Sequence, residues 1–414
     1  MAKNSKDPKR RDTGEEMFED PPPDNPKEER KEEPGKLFPW MVEGAELKRD
    51  AKKKHLNYAN IKVVGVGGAG GNAIARMVHA GLQGVEFITI NTDAQAIAYN
   101  PATSKIQIGA KVTKGLGVGG DPELGLKAAM ESKAEIAEAL EGADMVFITC
   151  GMGGGTGTGA SPVVAEIAKD KGALTIAVVT RPFTFEGFKR AKVAEEGITA
   201  LRGVLDTLIT IPNDKLHEVV APDTTLAESF MIADDILRQG VQGISDLIIV
   251  PGMINLDFAD VKTIMWEAGS ALIGIGQKTG EDRALMAARE AITSPLLETT
   301  IEGARGILIN ITGPTDLKLS EVKAAADEVY NVSDREANII FGAVIDDRMK
   351  DAVRVTVLAT GFDEKHEGPD LPIRDARGFV PKTGEIRESK ERATPFLNED
   401  ELDIPAFLRR DRKS

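Results

Sequence analysis

Three features of the sequence predict an α/β protein in which a Rossmann-like parallel-sheet domain is joined by a long core helix to a smaller α/β C-terminal domain. Short β-branched runs alternate with helical stretches in the first half of the chain. Glycine-rich loops follow two of these runs, and one helical stripe then extends over about 24 residues. Strands that alternate with helices indicate βαβ units, and hence a parallel sheet covered on both faces.

The first domain is predicted from runs rich in valine, isoleucine and threonine, with helix-like segments between them. The predicted strands are residues 61–66, 85–90, 145–149, 174–179 and 207–211, and the predicted helices are residues 72–80 and 162–171. Each strand is almost wholly apolar, which is typical of a strand buried on both faces.

The long helix is predicted from apolar residues that recur every three or four positions after a capping residue, Asp223 or Thr224. Its stripe consists of Leu226, Phe230, Ala233, Leu237, Val241, Ile244 and Ile248. At about 1.5 Å per residue the helix spans roughly 36 Å, enough to connect two domains. Gly240 and Gly243 interrupt its interior and predict close packing there.

A second αβ region follows Pro251 and Gly252. We predict helices at 261–268, 282–293 and 321–330, the last capped by Ser320, and strands at 271–275, 306–312, 341–345 and 354–360.

Composition excludes several classes of protein. The 414 residues carry a net charge of −14, which argues against a nucleic-acid partner. The single cysteine, Cys150, rules out intramolecular disulfides and multi-cysteine metal sites, and the four histidines show no HExxH spacing, so we assign no metal ligands. No run approaches the roughly 20 apolar residues of a transmembrane helix. The first residues lack the apolar region of a secretory signal, so we expect a cytoplasmic protein.

The first glycine loop lies between a predicted strand and a predicted helix. Gly65, Gly67 and Gly70 satisfy GxGxxG, a spacing that lets the backbone approach a diphosphate at a helix N-terminus. Alone, this motif is most typical of an NAD(P)-dependent oxidoreductase, and Asn91 or Asp93 would then bind the ribose. That class remains the alternative interpretation here.

The second glycine loop favours a different ligand. Residues 151–159 (GMGGGTGTG) hold six glycines and two threonines directly after a predicted strand. A dinucleotide fold needs one phosphate loop, whereas two opposing loops suit a triphosphate, with the Thr156 and Thr158 hydroxyls adding donors. A third segment, residues 113–121, either closes over the terminal phosphate or is a flexible hairpin. No GxxxxGK[ST] motif occurs, so the chain is not a P-loop NTPase.

Several motifs in the same order resemble one family. GGGTGTG resembles the tubulin signature, and GVGGAGGN, NTD, the long helix and NLDFAD (residues 255–260) resemble the tubulin/FtsZ family of GTPases. The resemblance covers residues 60–362 and resumes from Leu402 to Arg410. It implies GTP and GDP as ligands, Mg²⁺, and a head-to-tail homopolymer that forms the division ring of bacteria. The implied segments are an N-terminal extension (1–59), a GTP-binding domain (60–224), the core helix (225–249), a GTPase-activating domain (250–362), a disordered linker (363–400) and a C-terminal peptide (401–414).

The resemblance also implies roles for individual residues. The residues expected at the phosphates are Gly67, Gly68, Gly71, Asn72, Gly153, Gly154, Gly155, Thr156, Gly157 and Arg190. Glu186 is expected at the ribose, and Asn213, Phe230 and Asp234 at the base. A carboxylate at Asp234 accepts both N1–H and N2–H of guanine, a donor pair that adenine lacks.

The catalytic residues implied by the resemblance are Asp257, Asp260 and Asn255. Asp257 and Asp260 stand three apart at a helix start, where an N-cap and a first-turn acid are the ordinary interpretation. In the family these acids polarise the attacking water on the nucleotide of the neighbouring subunit, which Asn255 contacts. A scaffold that binds GTP without turnover is a further alternative, which the presence of both acids disfavours.

The last implied feature is the peptide from Leu402 to Arg410, which is expected to bind membrane-tethering and regulatory division proteins. The protein is accordingly expected in the cytoplasm at the mid-cell division site.

Overall fold

A computed structural model describes residues 59–218, 220, 223–250, 257–297 and 299–362. The N-terminal extension, Asn255, the linker and the C-terminal peptide lie outside the described residues, so the predictions made for them remain predictions.

One continuous sheet of ten strands runs through the described part of the chain, in the order β3-β2-β1-β4-β5-β6-β7-β10-β8-β9. The strands are β1 (Ile61–Val66), β2 (Val85–Asn91), β3 (Ser104–Gln107), β4 (Met145–Gly151), β5 (Leu174–Arg181), β6 (Thr207–Pro212), β7 (Gly269–Thr279), β8 (Gly306–Gly313), β9 (Asn338–Ile345) and β10 (Ala352–Thr360).

The α-helices of the same residues are α1 (Gly67–His79), α2 (Ala94–Tyr99), α3 (Ala110–Thr113), α4 (Pro122–Glu131), α5 (Lys133–Ala139), α6 (Thr156–Asp170), α7 (Phe188–Arg202), α8 (Leu226–Ile249), α9 (Phe258–Met265), α10 (Arg283–Ile292) and α11 (Leu319–Val332). Within the described residues, no helix combines the length and the apolar character needed to cross a bilayer.

The first six strands are parallel and follow the order 3-2-1-4-5-6, which confirms the predicted Rossmann-like sheet. Both faces are covered. Ile74 of α1 and Leu237 of α8 belong to the core on one face, and Val164 of α6 and Ile198 of α7 to the core on the other. Each of the four side chains is completely buried.

Several predicted boundaries were wrong, and no helix or strand was predicted for residues 94–139, where the structure has four helices and strand β3. Helix α1 begins at Gly67 rather than residue 72, and α6 begins at Thr156 rather than residue 162. Glycine costs about 1 kcal/mol per helical position relative to alanine, so local propensity argued against these first turns. Packing between the glycine loops and the strands overrides that cost.

Helix α8 confirms the predicted long helix, although its cap differs. Thr225, not Asp223 or Thr224, is the N-cap, and it forms a capping box with Glu228. The two interior glycines face different halves of the sheet. A Cβ on Gly240 would lie 3.0 Å from Val178 of β5, and a Cβ on Gly243 would lie 2.9 Å from Thr356 of β10. The helix therefore packs against both halves through positions without side chains.

The second half of the sheet continues directly from the first. Strand β7 pairs in parallel with β6 over Gly269–Ala271 and antiparallel with β10, which pairs with β8. The predicted cap of α11 was wrong, because the helix begins at Leu319 and Lys318 takes the N-cap position. The predicted domain boundaries stay predictions.

Gly274 of β7 provides a test of this packing. A Cβ there would lie 2.0 Å from the carbonyl oxygen of Ala291 on α10, too close for any side chain. We expect Gly274→Ala to lower the free energy of unfolding by about 1–3 kcal/mol, the usual cost of overpacking. Urea denaturation measures the change. Gly203→Ala, at a position with helical φ and nothing nearer than 3.5 Å, is the matched control; equal losses for both variants would contradict this account.

Candidate functional site

The glycine loops meet at the carboxyl ends of β1 and β4, the two central strands where the strand order reverses. Ligands of doubly wound sheets bind at such a switch point. A cavity of about 330 Å³ opens here, lined by residues of both loops and of four other segments. The lining residues are Val66, Gly68, Ala69, Val118, Gly119, Gly120, Gly151, Met152, Gly154, Gly155, Thr156, Gly157, Thr180, Pro182, Glu186, Arg190, Asn213, Phe230, Ala233 and Asp234.

The first loop uses its glycines mainly for packing. A Cβ on Gly65 would lie 2.4 Å from the carbonyl oxygen of Gly70, and a Cβ on Gly70 would lie 2.3 Å from that of Thr149. Gly67 has a φ of +74° and faces the backbone of Gly157. Gly68 lines the cavity instead, with open space where its Cβ would be. The glycines of this loop thus allow α1 to pack close to the sheet. At Gly68 the backbone faces the cavity without a side chain.

In the second loop, too, some residues pack against the protein and others line the cavity. A Cβ on Gly153 would lie 2.8 Å from the carbonyl oxygen of Arg190, whereas Gly154 has open space and lines the cavity. The Thr156 hydroxyl lies 3.0 Å from that of Thr92. The Thr158 hydroxyl accepts a hydrogen bond from the Gly153 amide at 2.9 Å, so it fixes the loop and does not line the cavity. The expected phosphate contact from Thr158 therefore does not fit this geometry.

The third segment reaches the same cavity. Val118, Gly119 and Gly120 line it directly before the N-cap of α4, Asp121. Both glycines have positive φ and, among the described residues, nothing within 4 Å of a built Cβ. Of the two predicted alternatives, the geometry favours a segment beside the phosphates.

Four of the residues that line the cavity carry polar or aromatic side chains suited to a nucleotide: Glu186, Arg190, Asn213 and Phe230. Glu186 and Arg190 form an ion pair. Asn213 is 5% exposed, and its carbonyl oxygen Oδ1 has no hydrogen-bond partner in the described part of the chain. Because buried polar atoms are normally paired, this oxygen indicates a missing donor. Phe230 forms a T-shaped contact with Phe183, with ring centroids 5.4 Å apart, and lines the cavity with a ring that is partly exposed.

Asp234 is the one acid of α8 that lines this cavity. Burial raises the pKa of its carboxyl group to about 6, and the guanidinium group of Arg76 acts in the opposite direction. The Arg76 Nε atom lies 3.7 Å from Asp234 Oδ2. Neighbouring Asp235 does not line the cavity. Burial also acts to raise its pKa, but hydrogen bonds from Arg238 and Gln239 outweigh burial and lower it.

Four predicted phosphate residues lie outside the lining of the cavity: Gly67, Gly71, Asn72 and Gly153. Gly67 and Gly153 pack against backbone. A Cβ on Gly71 would lie 3.3 Å from Asn100, whose side chain donates to the Gly71 carbonyl oxygen. Asn72 lines an adjacent groove together with Arg76 and His79. Thr180 and Pro182, which the resemblance implies begin the ribose loop, do line the cavity, and Met152 lines it although no role was predicted for it.

The two acids that the resemblance implies are catalytic, Asp257 and Asp260, lie outside this cavity. Asp257 is the N-cap of α9, and its carboxylate accepts from the Asp260 amide at 2.8 Å, while Asp260 accepts from the Asp257 amide at 3.3 Å. Both side chains are exposed, and neither lines the cavity of its own chain. Asn255 lies outside the described residues. The capping interpretation is thus correct, and among the described residues each acid uses one carboxylate oxygen for the capping box.

The residues required by the dinucleotide interpretation serve other purposes. Asn91 accepts from the backbone amides of Thr92 and Asp93, and Asp93 caps α2. Neither residue lines the cavity. Among the described residues, neither of the two candidates for binding the ribose of a dinucleotide is therefore placed to do so.

Comparison with known proteins identifies the family. The tubulin/FtsZ family GTPase-domain model matches residues 60–221, and the FtsZ family C-terminal domain model matches residues 269–363. The structure of an empty FtsZ dimer from M. jannaschii is 46% identical, covers 84% of this chain and 100% of that chain, and superposes with a TM-score of 0.73. The chain belongs to the FtsZ family. It is therefore a GTPase whose ligands are GTP and GDP, and the oxidoreductase interpretation is wrong.

Two further solved structures are similar to this chain. A tryptophan-to-tyrosine mutant of M. jannaschii FtsZ is 48% identical, covers 78% of this chain and 96% of that chain, and gives a TM-score of 0.72. CetZ2 from Haloferax volcanii, solved as a GTPγS-bound protofilament, is 22% identical, covers 72% of this chain and 92% of that chain, and gives a TM-score of 0.62. The latter shows a shared fold alone.

Proposed function

We propose that this FtsZ-family GTPase assembles head-to-tail into filaments and hydrolyses GTP at the interface between subunits, with Asp257 and Asp260 activating water on the nucleotide of the next subunit. The observation that carries the proposal is the separation of the two parts of the site. The phosphate-binding loops line one cavity, whereas the two acids are exposed at the start of α9 and lie outside that cavity. The dimeric state of the M. jannaschii FtsZ structure supports contact between copies.

Backbone amides supply most of the proposed phosphate binding. Gly68, Gly154 and Gly155 line the cavity without side chains, and the N-terminus of α6 directs its first N–H groups towards the same space. Among the described residues, Arg190 is the only basic side chain in the lining. This arrangement holds a triphosphate without a large positive charge, consistent with the acidic composition of the chain.

Guanine would occupy the other end, between Phe230, Asn213 and Asp234. Asp234 would accept from N1–H and N2–H, and the unpartnered Oδ1 of Asn213 would accept a further donor from the nucleoside. Glu186 would bind the ribose hydroxyls.

Mg²⁺ is part of this proposal. Within the described residues, no group of three or more His, Cys, Asp or Glu side chains is placed to hold a metal ion. In nucleotide sites Mg²⁺ is usually bound through one or two carboxylates, phosphate oxygens and water, so most of its ligands would come from GTP and solvent. When bound, it would neutralise charge on the phosphates.

The cellular part of the proposal rests on family membership. We infer that the filaments form the division ring at mid-cell in the cytoplasm. The peptide from Leu402 to Arg410 would bind the membrane-tethering and regulatory proteins, and the linker (363–400) would separate it from the filament.

A shared site makes turnover depend on protein concentration. We expect the GTPase rate per subunit to rise steeply above a threshold concentration, because dilute subunits lack the acids of a neighbour. Phosphate release measured over a dilution series tests this. ATP serves as the control nucleotide. A rate per subunit that stays constant down to high dilution would show that each chain hydrolyses GTP alone.

A further inference from the structure

The feature of interest is the ion pair between Arg76 on α1 and Asp234 on α8, at the boundary between the nucleotide cavity and an adjacent groove. Asp234 lines both spaces, whereas Arg76 lines the groove and not the cavity. The Arg76 Nε atom lies 3.7 Å from Asp234 Oδ2, and the side chains are 31% and 15% exposed. The arginine thus stands behind the carboxylate, on the side away from the cavity.

Four other charged groups around Asp234 form two ion pairs of their own. On α8, Arg238 donates to Asp235 Oδ1 at 2.6 Å and to Asp235 Oδ2 at 3.1 Å. Across the cavity, Glu186 and Arg190 form their own pair. His79 on α1 also lines the groove. Among the described residues, Arg76 is the single cation paired with this acid.

We propose that Arg76 is a positioning residue that keeps Asp234 ionised and thereby sets the preference of the site for guanine. The inference rests on the proposed function, which places the base against Asp234. Only an ionised carboxylate accepts both N–H groups of guanine, since a protonated carboxyl group presents a donor on one oxygen. Arg76 stabilises the ionised form from the side of the groove, where its Nε atom lies 3.7 Å from Oδ2, while the carboxylate also lines the cavity that the base would enter.

The direction in which guanine affinity changes with pH follows from the pKa of Asp234. Burial raises the pKa of Asp234 to about 6 even with Arg76 in place. Guanine affinity is therefore complete well above that pH and is lost as the pH falls through it. Removing Arg76 takes away the interaction that lowers the pKa, so the loss of affinity begins at a higher pH.

The test measures Kd for GDP, which is not consumed, from about pH 5.5 to about pH 8.5 for the parent protein, Arg76→Gln and Arg76→Lys. The ratio of variant to parent Kd removes the titration of GDP itself, because that titration is common to both proteins. For Arg76→Gln we expect the ratio to rise about tenfold from high to low pH, the lower end of the effect of an opposite charge at this distance. Arg76→Lys retains the charge, and its ratio stays flat.

Four outcomes of these measurements distinguish the role of Arg76 from that of Asp234. A ratio for Arg76→Gln that does not change with pH would overturn the inference, because loss of a purely structural contact weakens binding equally at every pH. A ratio for Arg76→Lys that rises like that of Arg76→Gln would also overturn it. If Asp234→Asn bound GDP as tightly as the parent, the base-site assignment itself would be wrong; if Asp234→Asn weakens GDP but the Arg76→Gln ratio stays flat, only the role of Arg76 fails.

Discussion

Asp260→Asn is expected to reduce GTP turnover by about 10²-fold or more while GTP binding stays unchanged. The size of the loss is that of removing a group that activates water. Binding is preserved because Asp260 lies outside the cavity of its own chain. The asparagine keeps an acceptor oxygen for the Asp257 amide, so the capping box of α9 survives and only the charge is lost. Phosphate release gives the turnover, and equilibrium titration with GTP gives the affinity.

The matched control is Asp334→Asn in the same half of the protein. Asp334 is also an exposed acid that accepts from a nearby backbone amide, that of Glu336 at 2.9 Å. We expect this variant to retain parental turnover. Mixing Asp260→Asn with a variant defective in the cavity provides a second control, because a shared site predicts that the mixture regains activity that neither protein shows alone. Parental turnover by Asp260→Asn at every protein concentration would remove Asp260 from the mechanism.

Asp234→Asn is expected to invert the preference for the base. The asparagine side chain offers one acceptor and an N–H₂ donor, so it no longer accepts both donors of guanine. Xanthine carries an oxygen at the position of the guanine amino group, and the asparagine amide would donate to it. We expect GTP to bind about 10²-fold more weakly, the cost of leaving hydrogen-bonding groups of a buried site unpaired, and XTP to bind more tightly than GTP. Competition titrations with both nucleotides measure the ratio of the two Kd values.

Asp235→Asn is the matched control for this change, since it removes the same charge from the adjacent position on α8. Asp235 is held by Arg238 and Gln239 and does not line the nucleotide cavity. The ratio of GTP to XTP affinity should therefore remain parental, whatever the effect on stability. An inversion in Asp235→Asn, or its absence in Asp234→Asn, would show that the base is bound by other residues.

The candidate site shows which kinds of residue can be recognised in a sequence. Gly154 and Thr156 line the cavity, and loop composition, a local property, already pointed to them. Asp234 also lines it, but its role was implied only by the family resemblance. Gly67 and Gly153 belong to the same motifs but pack against neighbouring backbone. The motif alone does not distinguish the two uses of glycine, since both avoid a Cβ and the difference lies in what surrounds each position.

The βαβ order, the long helix and the loops that follow β1 and β4 could be predicted from the amino-acid sequence, because hydrophobic period and glycine density are properties of a few neighbouring residues. Three features could not: the pairing of β6 with β7 that joins the two halves into one sheet, the capping of α8 by Thr225, and the contact between Arg76 and Asp234. The physical reason is distance along the chain: α1 and α8 are far apart in sequence, and no local pattern records which of their side chains meet. Their contact, and the electrostatic environment it gives the carboxylate, arises when both helices pack on the same face of the sheet.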